Sequence, residues 1–349
     1  MLERRPTRAR NYSTGNAEID AGIDSLIAEY GDVANADILD QMITTCFRLV
    51  RDEADRGEMR LVNSALKEFA YSFSVFRKWR GHRKVSIFGS ARTMPDDPVY
   101  EQTRAFAAAM AQRNWMVITG AGPGIMAAGH EGAGAAKSFG ASIRLPLESE
   151  PNIFIQGNTK LINFKYFFTR KVTFIKESDG FVLFPGGFGT LDEAFELLTL
   201  MQTGKSDLHP IVLLDKPGGT YWPMWLEFLE QELIARGLIS PEDLCLVKHC
   251  SNIEDAAAEL EGFYSNYCSQ RWLDGTLILR MLRLPPEDAI TALGRDFSDI
   301  TGPGGLRPVE ASEKEINDAD EMNCQRLGLD FNQTSVGRLR RLIDRLNGY

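Results

Sequence analysis

The chain has 349 residues, 39 Lys+Arg against 48 Asp+Glu, and a formal charge of −9. Its 44% hydrophobic and 25% charged residues mark an ordinary globular chain of about two or three domains and exclude extensive disorder. No apolar run reaches the ~20 residues of a membrane helix, the start MLERRPTRAR lacks a secretory apolar core, and no basic stripe with interleaved aromatics points to nucleic acid.

Residues 1–83 predict helices. Ile38, Leu39, Met42, Ile43, Cys46, Phe47 and Val50 recur at helical spacing, as do Leu61, Val62, Ala65, Leu66, Phe69, Phe73 and Phe76. Asn35 or Asp37 is placed to cap the first of these helices. The segment holds no cluster with chemistry, and the expectation is helices packed on a neighbour or on another subunit.

Residues 84–265 alternate short apolar runs with longer amphipathic ones. Strands are predicted at Lys84–Phe88, Trp115–Ile118, Ala141–Leu145, Gly180–Phe184 and Pro210–Leu214. Helices are predicted at 98–113, from Gly120 to about Lys137, and at 164–176, 189–202, 222–236 and 253–265. This alternation predicts an α/β fold, a parallel sheet with helices on both faces, binding ligands at the carboxyl ends of its strands.

Residues 266–349 read as a small α/β extension. Thr276–Leu282 predicts a strand, Pro286–Leu293 a short helix and Gly302–Gly305 a turn. The acid-rich stretch 310–322 is expected to be exposed. Val336–Leu346 predicts an amphipathic helix with a solvated basic face.

The five cysteines, Cys46, Cys245, Cys250, Cys268 and Cys324, are odd in number and irregularly spaced, with no C-x-x-C pair. A disulfide framework and a cysteine zinc site are disfavoured. The four histidines are far apart, which disfavours a transition-metal enzyme. Cytoplasm is the expected compartment.

Two Gly-rich turns follow strands directly. In Thr119–Met126, the glycines Gly120, Gly122 and Gly124 let backbone approach an anion, and a helix beginning near Pro123 would aim its free N–H groups there. The spacing is not the dinucleotide fingerprint G-x-G-x-x-G, and no acidic residue ends a following strand to hold a ribose, which argues against NAD. In Phe184–Glu193, Gly186, Gly187 and Gly189 free the backbone and Thr190 adds a hydroxyl at a helix start. Glu193 is expected in the first helical turn, either as a charge favourable to the helix dipole or turned toward the ribose–base bond of a nucleotide. In Tyr166–Lys171, Arg170 is suited to bidentate binding of a phosphate or carboxylate. Phe167, Phe168 and Phe174 are expected to be core. Gly89-Ser90-Ala91-Arg92 ends the first strand and can line the same crevice.

The segment Pro185–Glu193 matches P-G-G-x-G-T-x-x-E in full, and Arg170-Lys171 matches the Arg-Lys that precedes it. With the Gly120–Met126 turn, and with Ile143–Glu148 and Asn152 after it, these residues resemble the LOG family of nucleotide phosphoribohydrolases over about residues 80–265. Relatives often carry the label lysine decarboxylase, but no pyridoxal-phosphate lysine site is recognisable here. Three positions depart from the pattern: Ala121 where longer members often have Gly, Ala127 where they often have Glu, and Phe168 where shorter members have His.

The resemblance implies a Rossmann-like fold. It also implies hydrolysis of the N-glycosidic bond of a nucleoside 5′-monophosphate, AMP or N6-modified AMP first, to free base and ribose 5-phosphate. Arg170 and Glu193 would be catalytic. Gly89, Ser90, Gly120, Gly122, Gly124, Lys171, Gly186, Gly187, Gly189 and Thr190 would hold the nucleotide. No metal or cofactor is implied, and a homodimer or larger homo-oligomer is. A carrier of the same fold, holding a nucleotide or phosphorylated cofactor without turnover, is the alternative.

Overall fold

A computed structural model describes residues 12–144, 150–318 and 320–349. The start MLERRPTRAR and residues 145–148, both noted above, lie outside them. The chain divides into two compact units, Met1–Glu68 and Phe69–Tyr349.

The first unit contains α1 (Ala17–Tyr30), α2 (Ala36–Arg51) and the start of α3 (Arg56–Arg77). Asn16 caps α1, accepting from the N–H groups of Glu18 and Ile19 at 2.9 and 3.3 Å. Asn35 stands at the N-cap of α2 but its side chain makes no capping bond. Ile38, Met42, Phe47, Val50, Leu61, Val62 and Leu66, predicted from their spacing to be packing residues, are exposed.

The second unit opens with β1 (Lys84–Phe88), α4 (Pro98–Gln112), β2 (Met116–Thr119), α5 (Ile125–Lys137), β3 (Ser138–Ile143) and β4 (Leu161–Phe164). It continues with α6 (Phe167–Glu177), β5 (Gly180–Leu183), α7 (Phe188–Gln202), β6 (Ile211–Leu214), α8 (Tyr221–Phe228), β7 (Val247–Cys250) and α9 (Ile253–Phe263). The seven strands pair in parallel, in the order β4-β3-β2-β1-β5-β6-β7.

The central strands are buried throughout, as their continuous apolar runs require. Successive side chains alternate between two cores. Val85, Ile87, Val117, Val182 and Val212 join one cluster, and Phe88, Met116, Ile118, Phe181, Leu183 and Leu213 the other. The strand order reverses between β1 and β5, which makes their carboxyl ends the switch point where such sheets bind ligands.

The chain then forms β8 (Tyr267–Leu273), β9 (Thr276–Met281), α10 (Glu287–Asp296), α11 (Ser298–Thr301), β10 (Arg307–Pro308), α12 (Glu313–Asp318), β11 (Gln325–Leu329) and α13 (Val336–Leu346). The strands make an antiparallel sheet, β10-β11-β9-β8. Leu277, Leu279, Leu327, Leu342 and Leu346 belong to the same apolar cluster as the central sheet.

Helix α13 closes that core. Leu339, Leu342, Ile343 and Leu346 are buried, Gly337 lies so close to the Glu242 carbonyl that a Cβ would sit 2.0 Å from it, and Asn347 donates to the Phe263 carbonyl at 2.7 Å.

Several expectations need correction. The edge strands β4 and β7 were not predicted: polar residues fill their exposed positions, Asn163 in β4 and Lys248 and His249 in β7, which blurs the apolar signal. β8, β10 and β11 were not predicted either. Helix α5 starts at Ile125, so Pro123 lies in the turn before it and not at the first helical position. The basic face of α13 is not simply solvated: Arg340 is buried and ion-paired with Glu259 and Asp344.

The acid-rich stretch is not simply exposed either. Glu315 is fully buried beneath Arg280 and Arg326, at 2.7 and 3.2 Å, and accepts from the Ser312 N–H at 3.1 Å. Burial pushes its pKa up, but these donors outweigh burial and hold it at about 2.

Candidate active site

The turns after β1, β2 and β5 and the starts of α6 and α7 enclose a cavity of about 720 Å³. Gly89, Ser90, Gly120, Gly122, Arg170, Gly187, Gly189, Thr190 and Glu193 line it. The structure thus brings together residues that lie about 100 positions apart in sequence.

Backbone hydrogen bonds hold the turns to one another. Ser90 N–H donates to the Pro185 carbonyl at 3.2 Å, and Ile125 N–H to the Ser90 carbonyl at 3.0 Å. Gly124 and Gly186 are glycines because the fold leaves no room for more. A Cβ at Gly186 would lie 2.1 Å from Thr190 Oγ1, and one at Gly124 would lie 2.3 Å from the Ser90 carbonyl oxygen. Gly124 also has φ +64°, a region L side chains rarely adopt. Ala121 takes the same φ of 64° without being glycine, so this turn carries backbone strain of about 1 kcal/mol.

Gly187 and Gly189 are different. Among the described residues, and apart from adjoining residues and the helix's own backbone, no atom lies within 4 Å of a Cβ placed on either, and neither has positive φ. Packing does not demand glycine there, and the open space lies at the N-terminus of α7, beside free N–H groups. Gly189→Ala is therefore expected to leave the melting temperature unchanged or slightly raised, while weakening ribose 5-phosphate binding. Calorimetric titration beside thermal melts checks both halves.

Arg170 reaches into the cavity from α6. Its guanidinium lies 5.4 Å from the centroid of the buried Phe174 ring and 5.9 Å from that of Phe167. A Cβ on Gly120 would sit 2.7 Å from Arg170 Nη2, so this glycine makes room for the guanidinium.

Glu193 is 7% exposed. It is the sixth residue of α7 and lies beyond the first turn where it was expected, so the helix dipole does not account for it. Burial raises its pKa, Lys171 and Arg170 pull it back, and it settles at about 7. Lys171 does not line the cavity. Its ammonium pairs with Asp192 and Glu196 at 2.8 and 2.7 Å.

Residues 116–260 match the family model described as "Possible lysine decarboxylase". A cytokinin riboside 5′-monophosphate phosphoribohydrolase of Arabidopsis thaliana, LOG1, is 33% identical over 94 residues, 27% of this chain and 42% of that protein. A probable cytokinin riboside 5′-monophosphate phosphoribohydrolase of Oryza sativa subsp. japonica, LOGL3, is 32% identical over 96 residues, 27% of this chain and 43% of that one. Over residues 116–260 the chain is similar to the LOG family.

The chain spans about two fifths of the length of the curated relatives it matches. Among solved structures, a molybdenum cofactor binding protein from Rippkaea orientalis is 19% identical, covering 52% of this chain and 96% of that one, with a TM-score of 0.37.

The aromatic residues correct another expectation. Phe174 is core, but Phe167 and Phe168 are exposed, and Phe167 lines the cavity. Phe188, at the first position of α7, also lines it and is 95% exposed. Three residues around the site escaped the sequence reading, His130, Tyr221 and Glu150, and Met126 was read only as the end of a turn. Met126 and Glu150 line the cavity. His130 and Tyr221 stand behind its two glycine turns and carry no local motif.

Among the described residues, no helix is long and apolar enough to cross a membrane.

Proposed function

We propose that this site hydrolyses the N-glycosidic bond of a nucleoside 5′-monophosphate, releasing the free base and ribose 5-phosphate. One observation carries the reading: a buried carboxylate, Glu193, lies with Arg170 in a cavity flanked by two glycine turns at helix N-termini. The family relationship supports it.

The phosphate sits against the turns, where N–H groups and helix ends favour an anion. Attraction is local, since the domain carries much of the chain's negative charge. Arg170 orients the nucleotide. As the C1′–N bond breaks, positive charge builds on the ribose, and the Glu193 carboxylate stabilises it. Glu193 takes a proton from the attacking water, whose oxygen bonds to C1′, and returns a proton to the departing base. A pKa of about 7 lets one group do both near neutral pH.

AMP and N6-modified AMP are the substrates we put first. The exposed rings of Phe167 and Phe188 supply apolar faces beside the cavity for a purine. The names of the relatives support the N6-modified case, which would make cytokinin activation the role. The exposed Phe168 and Val172 on α6 support a homodimer or larger homo-oligomer.

Chromatography of products from a panel of purine and pyrimidine monophosphates tests the reading. Base and ribose 5-phosphate are expected in equal amounts. A tightly held ligand without any base release would favour the carrier instead.

A further inference from the structure

The two glycine turns share a construction. At the turn after β5, the Tyr221 hydroxyl donates to the Gly186 carbonyl at 2.6 Å. At the turn after β2, the Asn152 side-chain amide donates to the carbonyls of Ala121 and Gly122 at 3.0 and 2.9 Å, and the Asn152 backbone N–H donates to the Ala121 carbonyl at 2.8 Å. Neither Tyr221 nor Asn152 is among the residues lining the cavity.

A trans peptide is planar, and its C=O and N–H point in opposite directions. Holding the Gly186 carbonyl toward Tyr221 turns the N–H of Gly187 the other way. Holding the Ala121 carbonyl toward Asn152 does the same for the N–H of Gly122. Gly122 and Gly187 both line the cavity, and neither N–H donates to a partner among the described residues.

Each holder is itself fixed. Tyr221 N–H donates to Asp215 Oδ2 at 3.3 Å, and its ring stands edge-on to Trp222 with centroids 4.8 Å apart. Behind Asn152 stands His130, whose Nε2 lies 2.9 Å from the Phe139 carbonyl. A carbonyl only accepts, so Nε2 carries the hydrogen, and Nδ1 is left as an acceptor 3.2 Å from the Asn152 amide. Burial lowers the pKa of His130, which favours this neutral form.

We propose that Tyr221 and Asn152 are positioning residues that aim the N–H groups of Gly187 and Gly122 at one anion, the phosphate monoester of the substrate. The inference rests on the phosphate-binding half of the function proposed above and is independent of bond cleavage. Tyr221→Phe removes one hydroxyl and keeps the ring.

Calorimetric titration of the full chain with ribose 5-phosphate should show binding weakened about 10-fold by Tyr221→Phe, and by a similar factor in Asn152→Ala. With a nucleoside monophosphate, KM should rise by the same factor while kcat stays within about 2-fold, because the interaction forms equally in ground and transition states. A merely structural role would instead lower the melting temperature and leave affinity intact in the folded fraction.

Wild-type affinity for ribose 5-phosphate in Tyr221→Phe overturns the proposal. So does a wild-type chain that binds neither ribose 5-phosphate nor inorganic phosphate. If Asn152→Ala does not fold, Tyr221→Phe decides alone. Weakened ribose 5-phosphate binding with no base released from any monophosphate would sink the hydrolase reading and leave this inference standing.

Discussion

Glu193→Gln is expected to lower kcat for base release by at least ~10³-fold while ribose 5-phosphate affinity changes only a few-fold. The substitution removes a charge that acts on the breaking bond and leaves the phosphate turns in place. Activity that needs the ionised carboxylate should rise with pH through about 7, the value to which burial raises Glu193. Rate profiles against pH check this, and a profile flat down to pH 5 would contradict it.

The same substitution should stabilise the fold. An unfolded Glu ionises near its ordinary 4.5, whereas the folded one resists until about 7. Folding therefore carries a cost that is absent below pH 4.5, grows between those values and is complete above pH 7. Glu193→Gln removes it, a gain on the order of 3 kcal/mol at pH 8 that vanishes toward pH 4.5. Urea titrations at the two pH values measure it. Loss of activity with gain of stability is the signature of a carboxylate kept for chemistry.

Glu315→Ala should be the most damaging substitution in the C-terminal sheet, costing about 3–5 kcal/mol. It would leave Arg280 and Arg326 buried, both 5% exposed or less, without the carboxylate they share. That is a large part of the stability of an ordinary domain. Glu313→Ala, at an exposed position two residues earlier, should change stability by no more than about 0.5 kcal/mol. The Glu315 contribution is present above its ordinary pKa of 4.5 and fades as pH falls toward about 2. Denaturation midpoints of the two variants make the comparison, and equal midpoints would refute it.

Much of the central sheet and three of its ligand-facing turns are legible in the sequence, because glycine after an apolar run reports a local requirement. Gly124 answers a positive φ and a nearby carbonyl, and Gly187 and Gly189 leave open space. What escaped depends on distant partners. Tyr221 lies 35 positions from the carbonyl it holds, and nothing near it in sequence marks it. Glu315 looked solvated because the arginine above it, Arg280, is 35 positions away.

Helix α6 misled for a different reason. Its phenylalanines suggested burial, yet Thr169 and Thr173 lie buried while Phe167 and Phe168 face outward. Both threonines satisfy their hydroxyls locally, on the carbonyls of Tyr166 and Thr169 at 2.9 and 2.8 Å, so burying them costs little.

The placement of α13 sets an order of events during synthesis. The glycine turns leave the ribosome well before α13, the helix that completes their core. Until then the apolar surface meant for Leu339, Leu342, Ile343 and Leu346 has no cover, and Glu259 lacks Arg340. Folding of the second unit therefore cannot finish before α13 has been made. Truncation before Val336 would remove the helix that closes this cluster, far from the residues lining the cavity.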